Sequence, residues 1–205
     1  MAGGPFSRGL DGQWREHIEH HEDAVYGLLP DLTIGYLNPA WFRFADENGG
    51  EAIAERWGLG SCVLDAMHGP VRDLFEREFR RCFNSGRPWQ HDYECSSAKR
   101  FREFHMDAFP VRGGLGLLVI STLTAAHSHG SDRVALKPTE SLYLDKDGLI
   151  LQCGYCRRVQ QSGGSRKWDW VPSWVDEQPE NVTGGLCIPC YQTRFPEAPP
   201  SERAV

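Results

Sequence analysis

Four cysteines in two pairs, Cys153-Gly154-Tyr155-Cys156 and Cys187-Ile188-Pro189-Cys190, are the residues of this sequence with the plainest capacity for chemistry. Two residues between thiols let one tight turn aim both sulfurs at the same ion. Two such turns complete the tetrahedral four-ligand shell that zinc prefers, with Zn–S distances of about 2.3 Å. The spacing therefore predicts a zinc site made of Cys153, Cys156, Cys187 and Cys190. A shell closed by four thiolates leaves no position for water or substrate, so the zinc is expected to be structural rather than hydrolytic. Two other chemistries stay open for the same thiols: disulfide-based redox switching, in which oxidation ejects the metal, and iron–sulfur ligation. Thirty residues, 157–186, separate the pairs, more than a compact four-cysteine ribbon spans. Trp168, Trp170, Val171, Trp174 and Val175 fall in that interval and predict a short helix near 171–177 with its tryptophans over the site. Arg157 and Arg158 follow the first pair directly and are placed to offset the negative charge of zinc with four thiolates.

Elsewhere the chemistry is sparse. No glycine-rich phosphate loop, G-x-S-x-G elbow or H-E-x-x-H pair occurs, so no catalytic residue is assigned and the chain reads as a non-enzyme. His17, His20 and His21, with Glu19, Glu22 and Asp23, include pairs three or four residues apart, one helical turn, and read either as a metal-holding face or as a solvated one. Cys62, Cys82 and Cys95 read as small buried apolar residues.

The 205 residues are 40% hydrophobic and 24% charged, enough for one full domain and a smaller one. A net charge of -6 offers no long-range attraction to nucleic acid or to an anionic membrane, so neither is expected as a partner. The first residues lack the apolar run of a signal peptide. The most apolar stretch, 115–126, falls short of the roughly 20 residues a membrane span needs. An odd count of seven cysteines fits a reducing compartment better than a disulfide framework, and the expected location is cytoplasmic.

These residues are positioned by a readable succession of elements. Residues 11–23 are helix-compatible, with Trp14 and Ile18 as a narrow apolar stripe. Residues 24–29 and 32–37 are short β-forming runs joined by Pro30-Asp31 as a hairpin. Asn38-Pro39 opens a short helix over 40–45, and glycine-rich 47–61 is loop with at most one helical turn at 52–57. Val71, Leu74, Phe75, Phe79, Cys82 and Phe83 recur at three- and four-residue spacing, predicting an amphipathic helix over 70–83 that lies on a sheet. Three strands follow, at 89–95, 101–111 and 115–123. Residues 125–140 have loop composition, and a hairpin over 142–151 leads into the first cysteine pair.

Strand, strand, helices, then a three-strand meander resembles the PAS domain, a five-stranded antiparallel sheet with helices on one face. Particular residues carry the resemblance: Tyr36-Leu37-Asn38-Pro39-Ala40-Trp41 at the strand-to-helix junction, Gly58-Leu59-Gly60 before the next helix, and Asp92-Tyr93-Glu94-Cys95 with Arg100–Met106 as paired strands. The resemblance covers about residues 20–125. It implies an α+β fold and a sensing or pairing role, with a groove between sheet and helices that binds a small ligand or a protein partner. The expected groove residues are Asn38, Trp41, Phe42, His68, Phe75, Phe79, Tyr93 and His105. The asparagine-cysteine-arginine motif of flavin-photoactive relatives is missing; Cys62 lies instead in Gly60-Ser61-Cys62-Val63. For haem, His68, His91 and His105 are candidate proximal ligands. The ordinary reading has His68 solvating a loop, His91 facing water and His105 partly buried.

The cysteine region resembles a short C-terminal module found after sensory and receiver domains in bacterial two-component proteins. The likeness rests on Cys153-Gly-Tyr-Cys156-Arg157-Arg158-Val159, Trp168 and Gly184-Gly185-Leu186-Cys187-Ile-Pro-Cys190-Tyr191. Thr183-Gly184 stands where that module has serine-histidine, and Pro189 replaces a proline directly after the cysteine; neither change removes a thiol. The expected organisation is a lead-in over 1–22, a PAS-like domain over 23–125, a linker over 126–140, a four-cysteine module over 141–195 and a disordered tail over 196–205. Together the two resemblances imply a non-catalytic signal-sensing adaptor with structural zinc, a signalling protein as partner, and a homodimer through the sheet or the N-terminal helix. A haem- or flavin-carrying redox sensor, or a thiol switch on the CxxC pairs, are the alternatives.

Overall fold

The computed structural model describes Phe6 and residues 12–48, 50–131, 133–163 and 165–195. The tail expected over 196–205 and most of the first eleven residues lie outside the described residues. The architecture is α+β, with a five-stranded antiparallel sheet and helices followed by a second, four-stranded sheet.

In chain order, α1 (Gly12–Glu19) leads into β1 (Ala24–Leu28) and β2 (Ile34–Leu37). Next come α2 (Pro39–Asn48), α3 (Glu51–Arg56), a 3-10 turn at Val63–Ala66 and the long α4 (Gly69–Ser85). β3 (Trp89–Glu94), β4 (Arg100–Val111) and β5 (Gly116–Ser128) complete the sheet, whose strand order is β2-β1-β5-β4-β3. This is the arrangement that the resemblance to PAS domains implies. The C-terminal part holds α5 (Glu140–Tyr143), β6 (Ile150–Cys153), β7 (Val159–Gln160), β8 (Trp168–Asp169), α6 (Ser173–Asp176), β9 (Val182–Gly185) and α7 (Ile188–Arg194), with strand order β8-β7-β6-β9. No described helix is long and apolar enough to cross a membrane.

The chain divides into two compact units. The first holds the residues up to Ala66, Leu74–His91 and His105–Leu123; the second holds Met67–Asp73, Asp92–Phe104 and the chain from Thr124. The residues of α4, β3, β4 and β5 are thus shared out between them.

In the first unit, the β1–β2 hairpin closes where Leu29 N–H donates to Thr33 O and Leu32 N–H to Leu29 O. Asp31 Oδ1 accepts both the amide and the hydroxyl of Thr33, the side-chain-to-backbone bonding that makes aspartate a turn former. β1 pairs antiparallel with β5 from Ala24↔Ser121 to Leu28↔Leu117. Val25 joins Phe6, Ile18, Tyr36 and Leu118 in one buried cluster. On the opposite face of β1, the Tyr26 hydroxyl points to Met106 Sδ. Cys82 of α4 donates to Ala108 O, two residues along β4 from Met106, so α1 and α4 lie on opposite faces of the sheet. The lead-in helix, outside the 23–125 region, adds its own cover, since Ile18 and Phe6 pack with Val25 and Leu118. At the head of β5, Gly116 adopts φ 141°, and a Cβ there would run into Leu28 O, so the strand can start only with glycine.

Asn38 binds the start of this unit together. It is fully buried. Its Oδ1 accepts Val25 N–H at 2.9 Å and Trp41 N–H at 2.9 Å, the latter as the N-cap of α2 with Pro39 at the first helical position. Its Nδ2 donates to Ile18 O, Asp23 O and, at 3.5 Å, His21 O. One amide thereby ties α1, β1 and α2.

In the second unit, Tyr143, Ile150, Val159, Val171 and Trp174 form the core, with Leu144 and Val182 against it. A buried ion pair joins Arg133 to Glu94 at 2.7 Å, with side-chain exposures of only 7% and 9%. Ser96 Oγ donates to the same carboxylate, and the guanidinium lies over the rings of Trp170 (4.8 Å) and Phe101 (5.6 Å).

Four local expectations change. β5 runs to Ser128 rather than ending near 123, because β4 offers partners to its polar end: Thr124 Oγ1 donates to Glu103 O and His127 stacks on Phe101 at 4.7 Å. Where a hairpin was expected over 142–151, Leu142 and Tyr143 belong to the helical turn α5, since Leu144 N–H returns to Glu140 O. Only Leu144↔Ile150 pairs there, across a turn in which Asp145 Oδ1 accepts the amides of Asp147 and Leu149. The short helix near 171–177 exists as α6, but Trp174 packs edge-on against Tyr143 in the core rather than over the thiols. His91, expected to face water, is stacked on Trp89 and set edge-on against Phe75, because it shares the Trp89 face of β3.

Replacing Asn38 by alanine should lower stability by about 2–4 kcal/mol in urea denaturation, since a cap is lost and buried backbone groups are left unpaired. Asn38→Asp should be as damaging, because a carboxylate caps well but cannot donate to the three carbonyls; near-neutral behaviour would show that the cap alone matters. Arg133→Ala should cost about 3–5 kcal/mol by stranding the Glu94 carboxylate. The double variant Arg133→Ala with Glu94→Gln should recover a large part of that loss in the same titration.

Candidate metal centre

Each cysteine pair is held by its own backbone device. The first closes the hairpin between β6 and β7: Cys153 ends β6, its N–H donates to Arg158 O at 2.8 Å, and Arg157 N–H donates to Cys153 O at 3.1 Å. Arg157 takes a left-handed φ of 62°, the conformation that lets the turn close within six residues, at some strain for a residue with a Cβ. The second pair opens α7. Cys187 is the cap residue, Tyr191 N–H returns to Cys187 O at 2.9 Å, and Pro189 sits in the first turn, where its missing N–H leaves no bond unmade. Cys187 and Cys190 are three apart on the helix and therefore share a face.

β6 and β9 bring the two devices together. They run parallel, with Cys153 opposite Gly185, and Gly154 N–H donates to Gly185 O at 2.9 Å. The sulfurs of Cys153, Cys156, Cys187 and Cys190 consequently lie within 4.8 Å of one another. Cys156 and Cys187 are 3.6 Å apart, and Cys187 N–H points to Cys153 Sγ at 3.5 Å. In a tetrahedral zinc tetrathiolate the sulfurs are about 3.8 Å apart, given Zn–S near 2.3 Å, so the donor set fits a metal of that size. Cys153, Cys156 and Cys187 are buried and Cys190 is half-buried. Among the described residues this is the one group of three or more His, Cys, Asp or Glu donors able to share an ion. His17, His20 and His21 do not converge in that way.

Proton affinities in the cluster are pulled apart. Hydrogen bonds from Cys156, Cys187 and Cys190 hold the Cys153 thiol well below its usual range. Hydrogen bonding to Cys153 pushes Cys156 and Cys190 up, and burial adds to both. Thiolates this close repel, so all four ionise together only around a cation.

Two cations near the site come from residues that the spacing did not single out. Arg194, in the last turn of α7, lies 5.6 Å over the Tyr155 ring and pairs with Glu103 at 2.8 Å. Arg133 reaches Cys156 O at 3.5 Å. Arg194 stands four residues after Cys190, a helical interval visible in the sequence; Arg133 lies in a loop and carries no such signal. Arg158 serves the first pair through its carbonyl.

The residues expected to line a ligand groove are placed as follows. Asn38 has its amide oxygen and nitrogen engaged with backbone groups inside the protein. Phe75 and Phe79 are buried and form an aromatic cluster with Trp89 at centroid distances of 5.1–5.7 Å. Tyr93 stacks on Phe104 at 5.5 Å. Trp41 is half-buried, edge-on to the 44% exposed Phe42. His68 is exposed, and His105 lies 3.6 Å from Asp107 on the strand face opposite Phe104 and Met106. Cavities among the described residues of the first unit include an open one of about 610 Å³ around His17, His20 and His21 and one of about 120 Å³ among Leu29, Leu32, Phe83 and Leu117. None of the eight expected groove residues is in either lining.

No family model matches the chain, and neither does any curated protein. Solved structures similar to it include PAS domains. One is from Colwellia psychrerythraea, at 14% identity and TM-score 0.41, covering 54% of this chain and 93% of that one. A second is the PAS domain of the quorum-sensing receptor RpfR of Cronobacter turicensis in complex with C12:0, at 16% and 0.41, covering 53% and 99%. A third is the PAS domain of an HTR-like protein from Haloarcula marismortui, at 21% and 0.33, covering 54% and 94%. The chain combines an α+β region with a five-stranded antiparallel sheet, order β2-β1-β5-β4-β3, and a C-terminal cluster of four cysteines able to hold a metal.

Proposed function

We propose that this chain is a signal-sensing adaptor of bacterial signal transduction. Its PAS-like sheet takes a small ligand or a protein partner, and its C-terminal unit is folded around a structural zinc and presents a surface to that partner. The observation that carries the reading is the convergence of four mostly buried sulfurs within 4.8 Å. All four donor positions are protein, so a bound zinc has no site for substrate and contributes folding free energy instead. Cys153, Cys156, Cys187 and Cys190 would hold the ion, and the buried Tyr155 beside them, covered by Arg194, helps exclude water. The aromatic cluster of Phe75, Phe79, Trp89 and His91 supports the sensing half, because it places a polarisable, apolar wall between α4 and the sheet.

A second reading, redox switching of the same thiols, is favoured by the half-buried position of Cys190 beside three buried partners. A peroxide would take the electron pair of two thiolates and two protons, leaving one disulfide, two waters and a released ion.

Elemental analysis and a visible spectrum of protein purified without chelator test both. The expected result is one zinc per chain and no colour. Iron with a visible band would replace the zinc reading by cofactor-borne redox sensing, and metal-free thiols would leave disulfide chemistry. Cys153→Ser or Cys187→Ser should lose the metal and the C-terminal fold, read as lost near-ultraviolet dichroism, while Cys62→Ser and Cys95→Ser should retain both.

A further inference from the structure

The second unit includes a short stretch from the middle of the chain, Met67–Asp73, which is the entrance to α4. Its seat is made by glycines on either side of the cysteine site. Gly69, at φ 54°, comes so close to Gly184 O that no Cβ fits between them. From the other side, a Cβ on Gly184 would stand 2.5 Å from His68 C. Val71, which is buried, covers Gly154 so closely that a Cβ there would be 2.6 Å from Val71 Cγ2. Gly154 lies between the thiols of the first pair, and Gly184 stands three residues before Cys187 on the strand leading to the second. The entrance of α4 therefore rests on the two backbone segments that the sulfurs hold together.

We infer that the metal held by the cysteines controls the first turn of α4: with the ion bound, residues 153–156 and 184–187 form a fixed platform for 68–71, and without it the platform separates and the turn frays. This rests on the metal-binding reading proposed above. The physical basis is that an N-terminal helical turn has no amide bonds of its own to preceding carbonyls and depends on what it packs against. The part of α4 that follows, from Leu74, carries Phe75 and Phe79 and belongs to the first unit. A thiol-reactive or metal-depleting condition would then be read out in the order of the first turn of α4.

Hydrogen exchange followed by mass spectrometry on the full chain, before and after zinc removal by a chelator with reductant and after zinc is restored, tests this. Amides of residues 73–77 donate to the carbonyls of 69–73 in a regular helix and report the first turn. They should exchange at least about tenfold faster without metal and recover with it, which corresponds to a loss of about 1.4 kcal/mol of local protection, while amides of β1 stay unchanged. Val71→Ala should keep its metal yet show the fast rate in both states. Loss of metal with no change at 73–77, an equal rise in β1, or a full metal response in Val71→Ala would overturn the inference. A protein that neither carries nor takes up metal would defeat the underlying reading, and the inference with it, and the elemental analysis separates that case from the others.

Discussion

Four sulfurs that must sit within a few ångströms of one another, though they come from two ends of a long chain excursion, govern how the C-terminal unit is built. Its apolar core is small, centred on Tyr143, Ile150, Val159, Val171 and Trp174. A core of that size offsets little of the entropy of ordering the chain around it, which is why small domains commonly add a staple. The remaining features follow from bringing the sulfurs together. Arg157 accepts a left-handed backbone so that the first turn can close, Pro189 lies where a helix tolerates it, and Gly184 and Gly185 let strands and the 68–71 segment approach to backbone distance. Two cations stand beside the site, Arg194 over Tyr155 and Arg133 at the Cys156 carbonyl, each paired with a glutamate, Glu103 and Glu94.

The first unit solves a different problem with a single amide. Its helices and strands are joined by short connections whose backbone groups would otherwise be buried without partners, and Asn38 answers several of them at once. A residue of this kind resembles a ligand-binding group in sequence, since it is polar and stands at a strand-to-helix junction. Its burial and its hydrogen bonds to Val25, Trp41, Ile18 and Asp23 show the architectural work it does.

What was legible in the sequence is what local spacing encodes. The two CxxC pairs, the apolar period of α4, the Pro30-Asp31 turn and the order of strands and helices all depend on residues a few positions apart, and they read correctly from one chain. The places where reading and structure part company depend on distant partners. β5 extends through polar residues because β4 is there to receive them, His91 turns inward because Phe75 and Trp89 form a wall, and Trp174 packs on Tyr143 rather than near the thiols. The Glu94–Arg133 pair spans 39 positions, and no local pattern marks either residue as half of a buried ion pair. For the candidate site the sulfur ligands were visible from spacing, while the glycines and arginines that shape their surroundings were visible only once the chain had folded.

The parallel pairing of β6 with β9 has a further consequence. Strands that run side by side in the same direction cannot be linked by a tight turn; the chain must travel back the full length of the first before it can begin the second, which takes about a dozen residues or more. The interval between the cysteine pairs is this return journey, with the hairpin strands β7 and β8 and the helical turn α6 carried along it. Such a stretch is asymmetric under evolutionary change. Added residues extend a path that already runs outside the ladder, whereas deletions beyond a certain point would force β9 to reverse direction and carry Cys187 to the wrong end of the sheet. The length of this detour is thus free to grow, while the direction in which the chain arrives at Cys187 is fixed by the parallel pairing.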